Sequence, residues 1–172
     1  MNKLRERQQP VVVSKIIQFP LILIIVAFLY SPGMAKSADI LSVLEADLAA
    51  WNSHDAGKAA SYLADNVVYF DATVGKPLYG RAAAKSDIQN FMRAVPNSTW
   101  RIVGKPIVDG ELVAFEWQYA GTNTGDWRDG TKATGKSFTL QGMSLFRIAD
   151  GKVVSQKDYY AVLGFLKKLG LM

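Results

Sequence analysis

Asp71 is the first residue whose type and position could support chemistry. It ends the apolar run 67–70 and is followed by a turn region that contains Gly75, Pro77 and Gly80. A carboxylate at the mouth of an apolar pocket has a raised pKa and can act as a general base on a carbon acid. The alternative is that Asp71 caps the following loop through its own backbone.

Asp158 is the second candidate, in the last strand-like run of the chain. Strand alternation places Asp158 and Ala161 on opposite faces. A local bulge could re-aim Asp158, which would then assist Asp71 as an acid or base, and Tyr159 is an alternative helper. Otherwise Asp158 is a solvated or salt-bridged strand residue. The predicted catalytic residues are therefore Asp71 and Asp158.

Aromatic side chains are concentrated where a pocket could form. Alternate residues of one strand, Phe115, Trp117 and Tyr119, share a face. A buried tryptophan or tyrosine needs a polar partner for its N–H or O–H group, and a pocket supplies one. Each ring singly fits a plain core equally well, but as a group they favour a flat, largely apolar ligand. The predicted ligand-binding aromatic residues are Trp51, Tyr69, Phe115, Trp117, Tyr119 and Tyr159.

Composition excludes several functions. The chain has no cysteine and a single histidine, His54, so neither disulfides nor zinc or copper sites of the usual ligand sets are expected. The run 142–146 lacks the second glycine of a nucleophile elbow, which argues against a serine hydrolase. Lys and Arg do not cluster as they do on phosphate-binding faces, so we expect no nucleic-acid partner. No metal or organic cofactor is expected.

The N-terminal segment differs from the rest of the chain. Residues 1–37 are predicted to be a secretory signal peptide, because a basic start precedes the apolar run 16–30 and small residues follow. The alternative is an uncleaved membrane anchor, since residues 11–30 approach the length that spans a bilayer. We therefore expect an exported protein, periplasmic or secreted, whose domain occupies residues 38–172.

The basic charge of the chain lies mostly in this segment. Residues 1–35 hold four Lys/Arg and one acidic residue, so +3 of the formal net charge of +5 lies there and +2 remains for the rest. A domain with so small a net charge has no electrostatic reason to bind polyanions.

The elements that would position these residues can be read from periodicity and turn signals. Helices are predicted over 39–53, 55–63 and 81–95, with Asp55 as the N-cap of the second. Strands are predicted over 67–70, 99–107, 111–120, 134–148 and 152–160, with a long loop at 121–133 and a closing helical turn. Helices followed by an antiparallel sheet indicate an α+β domain.

The order of these motifs resembles that of the SnoaL-like polyketide cyclases of the nuclear transport factor 2-like superfamily. The likeness rests on the aromatic strand 115–119, the glycine-rich run 121–125, the helix end 91–97 and the closing Leu169-Gly170. It covers about residues 40–170. It implies a cone-shaped fold in which three helices pack on a strongly curved, mainly antiparallel sheet and enclose a pocket. It also implies a homodimer formed through the outer face of the sheet.

The resemblance also bears on individual residues. Asn123 stands where relatives often have a histidine, which implies a ligand contact from the loop, and Gln141 could line either the cavity or the outer face. Ala161 stands where SnoaL-like cyclases usually have their acid/base aspartate.

Ketosteroid isomerase, a cousin fold, offers a second comparison. The position of Asp71 is similar to that of its general base. Asp47 and Ser144 stand where that enzyme has its oxyanion tyrosine and its protonated carboxylic acid. Steroid isomerisation by that mechanism is therefore not expected, because an enolate needs preorganised donors.

Three hypotheses about function follow. The first is an exported domain that binds a small apolar, carbonyl-bearing molecule and performs acid–base chemistry of the isomerase, cyclase or hydratase type. The second is a ligand-binding or assembly module without catalysis, which the alanine at position 161 favours. The third is a membrane-tethered accessory protein whose pocket serves a partner peptide.

Overall fold

The computed structural model describes residues 32–172, so most of the predicted signal peptide, residues 1–31, lies outside the described residues. The described part contains helices α1 (Pro32–Asn52), α2 (Ala56–Ser61), α3 (Arg81–Ala94) and α4 (Val162–Leu169). Its strands are β1 (Leu63–Asp71), β2 (Leu78–Tyr79), β3 (Thr99–Asp109), β4 (Leu112–Thr122), β5 (Ser137–Ala149) and β6 (Lys152–Tyr160). Within this range no helix is both long enough and apolar enough to cross a bilayer.

The strands form one mixed sheet in the order β2-β1-β6-β5-β4-β3. All neighbouring pairs are antiparallel except β1 and β6, which run parallel. The predicted α+β fold with a mainly antiparallel sheet is confirmed. The structure adds β2, begins α1 at Pro32 rather than at residue 39, and shows the closing turn as a full fourth helix.

Helices α1 and α2 meet at a short turn that is held by polar side chains. Asp55 caps α2 as predicted, and its carboxylate accepts the backbone N–H of Lys58 at 2.9 Å. The Asn52 side chain both donates to the Trp100 carbonyl oxygen at 2.8 Å and accepts the Trp100 N–H at 2.7 Å. This pair of bonds fixes the end of α1 against β3.

The core lies between the helices and the inner face of the sheet. On α1 the buried residues Leu44, Leu48 and Trp51 recur at helical spacing, and on β4 alternate residues from Val113 to Tyr119 are buried. Each fully buried large apolar side chain contributes about 1.5–3 kcal/mol to folding. Because burial is confined to one face of each element, the site must form where these faces meet.

Gly142 on β5 allows the Trp117 ring to lie across the sheet. The two residues are register partners, and a Cβ added at Gly142 would collide with the indole ring and approach the Tyr159 carbonyl oxygen. Glycine at this position therefore sets the position of Trp117, which lines the cavity described below.

We expect Gly142→Ala to lower the free energy of unfolding by about 1–3 kcal/mol, because an added methyl group overpacks the core. Urea unfolding monitored by tryptophan fluorescence measures this change. Gly164→Ala is the matched control, because its added Cβ would meet only the Ala161 methyl group at 3.6 Å in helix α4. That control should be neutral or more stable by up to about 1 kcal/mol. Equal stability of both variants would contradict the packing role of Gly142.

Candidate functional site

A small cavity opens between α1, α3 and the inner face of the sheet. The centre of a water molecule can occupy about 40 Å³ of this cavity. The cavity therefore has room for a few waters or for a group of a few heavy atoms. A larger ligand fits only if the surrounding rings move. The wall is formed by Trp51, Tyr69, Asp71, Phe91, Trp100, Trp117, Tyr119, Leu140, Asp158 and Tyr160.

Asp71 ends β1 with its side chain turned into this cavity, and it is 5% exposed. The Thr73 N–H donates to Asp71 Oδ1 at 2.7 Å, the Thr73 hydroxyl also donates to it, and the Tyr160 hydroxyl donates at 2.8 Å. Burial raises the pKa of Asp71, while these hydrogen bonds oppose the rise. The net direction is upward, so Asp71 is a stronger base than an exposed aspartate.

Asp158 lies beside Asp71 because the two are register partners in the parallel β1–β6 pair. Ser144 donates to Asp158 Oδ1 at 2.5 Å, and the Gln156 amide donates to Oδ2 at 2.8 Å. Ser144 in turn accepts the Trp117 indole N–H at 2.7 Å. Burial, opposed by the Ser144 bond and reinforced by the charge of Asp71, raises the pKa of Asp158 to about 7.

Asp47 on α1 is a third buried acid, close enough to Asp158 for the two charges to interact. Asp47 is fully buried, and neither of its carboxyl oxygens has a hydrogen-bond partner among the described residues. Burial raises the pKa of Asp47 well above its usual value, and the charge of Asp158 adds to the rise. A buried carboxyl group without a cation is expected to take up a proton instead.

Together these groups make a cavity with acidic and aromatic walls. Among the residues that line it there is no lysine, arginine or histidine. Asp71, which accepts bonds from its neighbours, can remove a proton, whereas Asp158 is partly protonated near pH 7 and can supply one. Tyr160 stays protonated because burial, together with the Asp71 charge, raises the pKa of its hydroxyl.

Six residues that the sequence predicts for the site do line the cavity, although their roles stay predictions. They are Trp51, Tyr69, Asp71, Trp117, Tyr119 and Asp158. The inner face of β6 is the one that carries Asp158, and Ala161 is exposed beyond the end of that strand.

The four remaining predicted residues are placed elsewhere. Tyr159 is 51% exposed on the outer face, because it alternates with the inward Asp158. Gln141 is also exposed on β5. Phe115 is buried against the rings of Trp100 and Phe146 without lining the cavity. Asn123 is buried and ties its loop together through bonds to Ala94, Gly125 and Thr134.

Sequence reasoning missed several residues of the site. Tyr160 lies two residues after Asp158, so alternation would have placed it inward once the face of Asp158 was known. Asp47 and Asp87 each interrupt the apolar stripe of a helix, α1 or α3, and an acid in such a stripe is a visible signal. The other cavity residues that were missed are Phe91, Trp100 and Leu140.

Comparison with known proteins agrees with this architecture. The chain matches the SnoaL-like domain family over residues 44–156 and belongs to that family. No functionally curated protein matches it significantly. Many solved structures share the fold, at identities low enough that they inform on the fold alone.

Three of these structures serve as examples. TsrD from Streptomyces laurentii is 21% identical with a TM-score of 0.66, covering 78% of this chain and 97% of its own. A candidate polyketide cyclase from Xanthomonas campestris is 24% identical with a TM-score of 0.67, covering 77% and 97%. A protein from Catenulispora acidiphila with a ketosteroid isomerase-like fold, in complex with trimethylamine, is 22% identical with a TM-score of 0.64, covering 74% and 92%.

The raised pKa values predict a stability that falls as pH rises. In the unfolded chain Asp158 titrates near 3.8, whereas in the folded protein its pKa is about 7. Between these values the folded state holds a proton that the unfolded state has lost, so the contribution of Asp158 to stability is fully present below about pH 3.8 and is lost as the pH rises through 7. We expect the urea concentration at the unfolding midpoint to decrease as the pH is raised from 5.5 to 8.

Asp158→Asn should make this decline shallower, because the asparagine cannot ionise. Asp39→Asn, at an exposed position of α1, is the control and should leave the slope unchanged. A midpoint that rises over this interval, or an unchanged slope in Asp158→Asn, would contradict the assignment of the buried proton.

Proposed function

We propose that this chain binds a small, largely apolar, carbonyl-bearing molecule and performs acid–base chemistry of the isomerase or cyclase type without a cofactor. The observation that carries the proposal is the pairing of Asp71 with Asp158 in the wall of an aromatic cavity. The family to which the chain belongs is consistent with ligand binding and cyclase chemistry.

The proposed step is proton removal from the carbon next to a carbonyl group. The Asp71 carboxylate takes the proton, the C–H electron pair forms a C=C bond, and the carbonyl π pair moves to oxygen. Protonated Asp158 supplies a proton to that oxygen, which gives a neutral enol. In an isomerisation of a conjugated enol, Asp71 returns its proton to a different carbon; in a cyclisation, the enol carbon attacks a second carbonyl group, whose oxygen takes the Asp71 proton. In both cases the enol O–H gives its proton back to Asp158 and the C=O bond re-forms.

The surrounding side chains support this step in two ways. The rings of Trp51, Trp100 and Trp117 give the cavity an apolar wall, and electrostatic interactions are stronger beside such a wall than in water. The Tyr160 hydroxyl donates to both oxygens of Asp71, at 2.8 and 3.0 Å, and so orients the carboxylate. The Thr73 hydroxyl also donates to Asp71, and its oxygen lies 3.0 Å from the Tyr160 hydroxyl oxygen, so Thr73 packs against this pair.

Asp71→Asn should reduce enolisation of a small ketone by about 10²–10⁴-fold, because the general base is lost. Pinacolone is a suitable probe, because its only enolisable protons are those of its methyl ketone group and only that group has to enter the cavity. Exchange of these protons with deuterated solvent, followed by NMR, measures the step directly. Tyr160→Phe should reduce exchange less, because it removes only the donor that orients Asp71.

Tyr159→Phe is the matched control, since Tyr159 is the sequence neighbour of Tyr160 on the opposite face. It should exchange pinacolone at the wild-type rate. Exchange no faster than in buffer, or equal rates in Asp71→Asn and the wild type, would reject the catalytic proposal. Retained binding without exchange would leave the non-catalytic binder as the function.

The composition of the cavity wall favours a particular ligand for that second candidate. Seven of the ten lining residues are aromatic and two are acidic, which suits a small organic cation held by cation–π contacts and a carboxylate. The Catenulispora protein, which shares the fold, was solved in complex with trimethylamine, a small amine of this kind. Tighter binding of tert-butylammonium than of tert-butanol, without ketone exchange, is the result that would favour it.

We also propose that the protein is exported and forms a homodimer through the outer face of the sheet. The support for export is the predicted signal peptide, with a membrane anchor as its alternative. The support for the dimer is an apolar patch on neighbouring strands, where Met143 and Tyr159 are register partners and Leu145 is also exposed. The Tyr159 ring also lies 5.4 Å from that of Phe70.

Met143→Lys should convert the proposed dimer into a monomer, because it places a charge at the centre of this apolar patch. Analytical ultracentrifugation measures the change in mass. Leu163→Lys, which alters an exposed leucine on α4 instead of the sheet, should leave the dimer intact. A wild-type protein that sediments as a monomer at high concentration would refute the proposed interface.

A further inference from the structure

A second and larger cavity, here called the α4 groove, lies between α3, the loop that joins β4 to β5, and α4. It holds about 320 Å³, against about 40 Å³ for the cavity that contains Asp71. Phe165, Leu166 and Leu169 of α4 form its apolar wall, and Phe91 borders both cavities. The groove therefore has room for a molecule that is too large for the smaller cavity.

Two polar groups in the wall of the α4 groove lack partners. Asp87 is 2% exposed, and its Oδ2 has no hydrogen-bond partner among the described residues. The indole Nε1–H of Trp127 is likewise buried and unpartnered within the described part of the chain. Buried groups of this kind are rare in native proteins and are usually satisfied by water or a ligand. An acceptor and a donor among the residues that line the groove thus have no partner in the described part of the protein.

The structure holds Trp127 and Arg128 at fixed positions. The Trp127 ring packs edge-on against Phe91 and Phe165, with centroids 5.4 and 6.3 Å away. The backbone N–H of Arg128 donates to Asn90 Oδ1 at 2.7 Å, and its guanidinium group donates to the Ser86 carbonyl oxygen at 3.2 Å. The groove is consequently shaped before any ligand arrives.

The groove is lined by charged residues of both signs, Arg128 against Asp87 and Asp129. Burial and the charge of Asp71 raise the pKa of Asp87 to about 7, and the nearby Arg128 opposes the rise. A cationic head would meet Arg128, and an anionic head would meet Asp87 and the rim residue Asp129. A neutral head that can both donate to Asp87 and accept from Trp127 avoids both conflicts.

We propose that the α4 groove is a second binding site, which takes an apolar molecule with a neutral head such as a primary carboxamide or an alcohol. The head hydrogen-bonds to Asp87 and Trp127, and the apolar body lies along the leucines of α4. Bound there, the molecule borders Phe91 and so adjoins the cavity of Asp71 without entering it.

Isothermal titration of the protein with octanamide tests this site. Leu166→Trp fills the groove and should weaken binding at least tenfold, whereas Leu163→Trp, on the exposed side of the same helix, should not. Trp127→Phe keeps an aromatic ring but removes the indole donor, and should weaken binding roughly five- to tenfold. Octanoate at pH 8 and octylammonium should both bind more weakly than octanamide.

The proposal is overturned if octanamide shows no saturable binding to the wild type. It is also overturned if Leu166→Trp and Leu163→Trp bind alike, if Trp127→Phe binds as tightly as the wild type, or if a charged analogue binds as tightly as octanamide. Leu166→Trp should still exchange pinacolone normally. Absence of ketone exchange in the wild type would therefore count against the acid–base function alone. Absence of octanamide binding in the wild type would count against the groove alone.

Discussion

The parallel pairing of β1 with β6 is the constraint on which the site depends. It brings Asp71 and Asp158, at the ends of two strands that are distant in the chain, into direct register. Both side chains then face the same apolar interior, because residues at matched positions of adjacent strands lie on one face. A shift of one residue in this pairing would move one of the two carboxyl groups to the outer surface.

Burial decides the chemistry of these acids more than their mutual charge does. For Asp47, Asp71, Asp87 and Asp158, loss of hydration is the first cause of the raised pKa. Hydrogen bonds from Thr73 and Tyr160 oppose that effect at Asp71, whereas Asp47 has no such donor among the described residues. The protein therefore holds a graded set of weak acids in one interior, and their protonation is linked to folding.

Rings and glycine complete this arrangement by limiting space. The Trp100 ring lies 5.3 Å from that of Trp51 and 6.1 Å from that of Trp117. The Trp117 ring can lie on the sheet because Gly142 has no side chain there. Close packing of this kind leaves a small cavity at the acids and a larger one beyond Phe91. Phe91 thus forms a shared border between these two cavities.

The amino-acid sequence by itself determined the local structure of this protein. Its turn residues and periodicity predicted most helices and strands, the N-cap at Asp55, the shared face of Trp117 and Tyr119, and the α+β class, because these depend on neighbours in the chain. Only the tertiary structure decided that Asp158 and Tyr160 face inward while Tyr159 faces outward. Alternation specifies that two faces exist, but the helices that cover one of them specify which is buried. The acid cluster also depends on tertiary structure, because pKa values respond to burial and to charges that residues from α1, α3, β1 and β6 bring together.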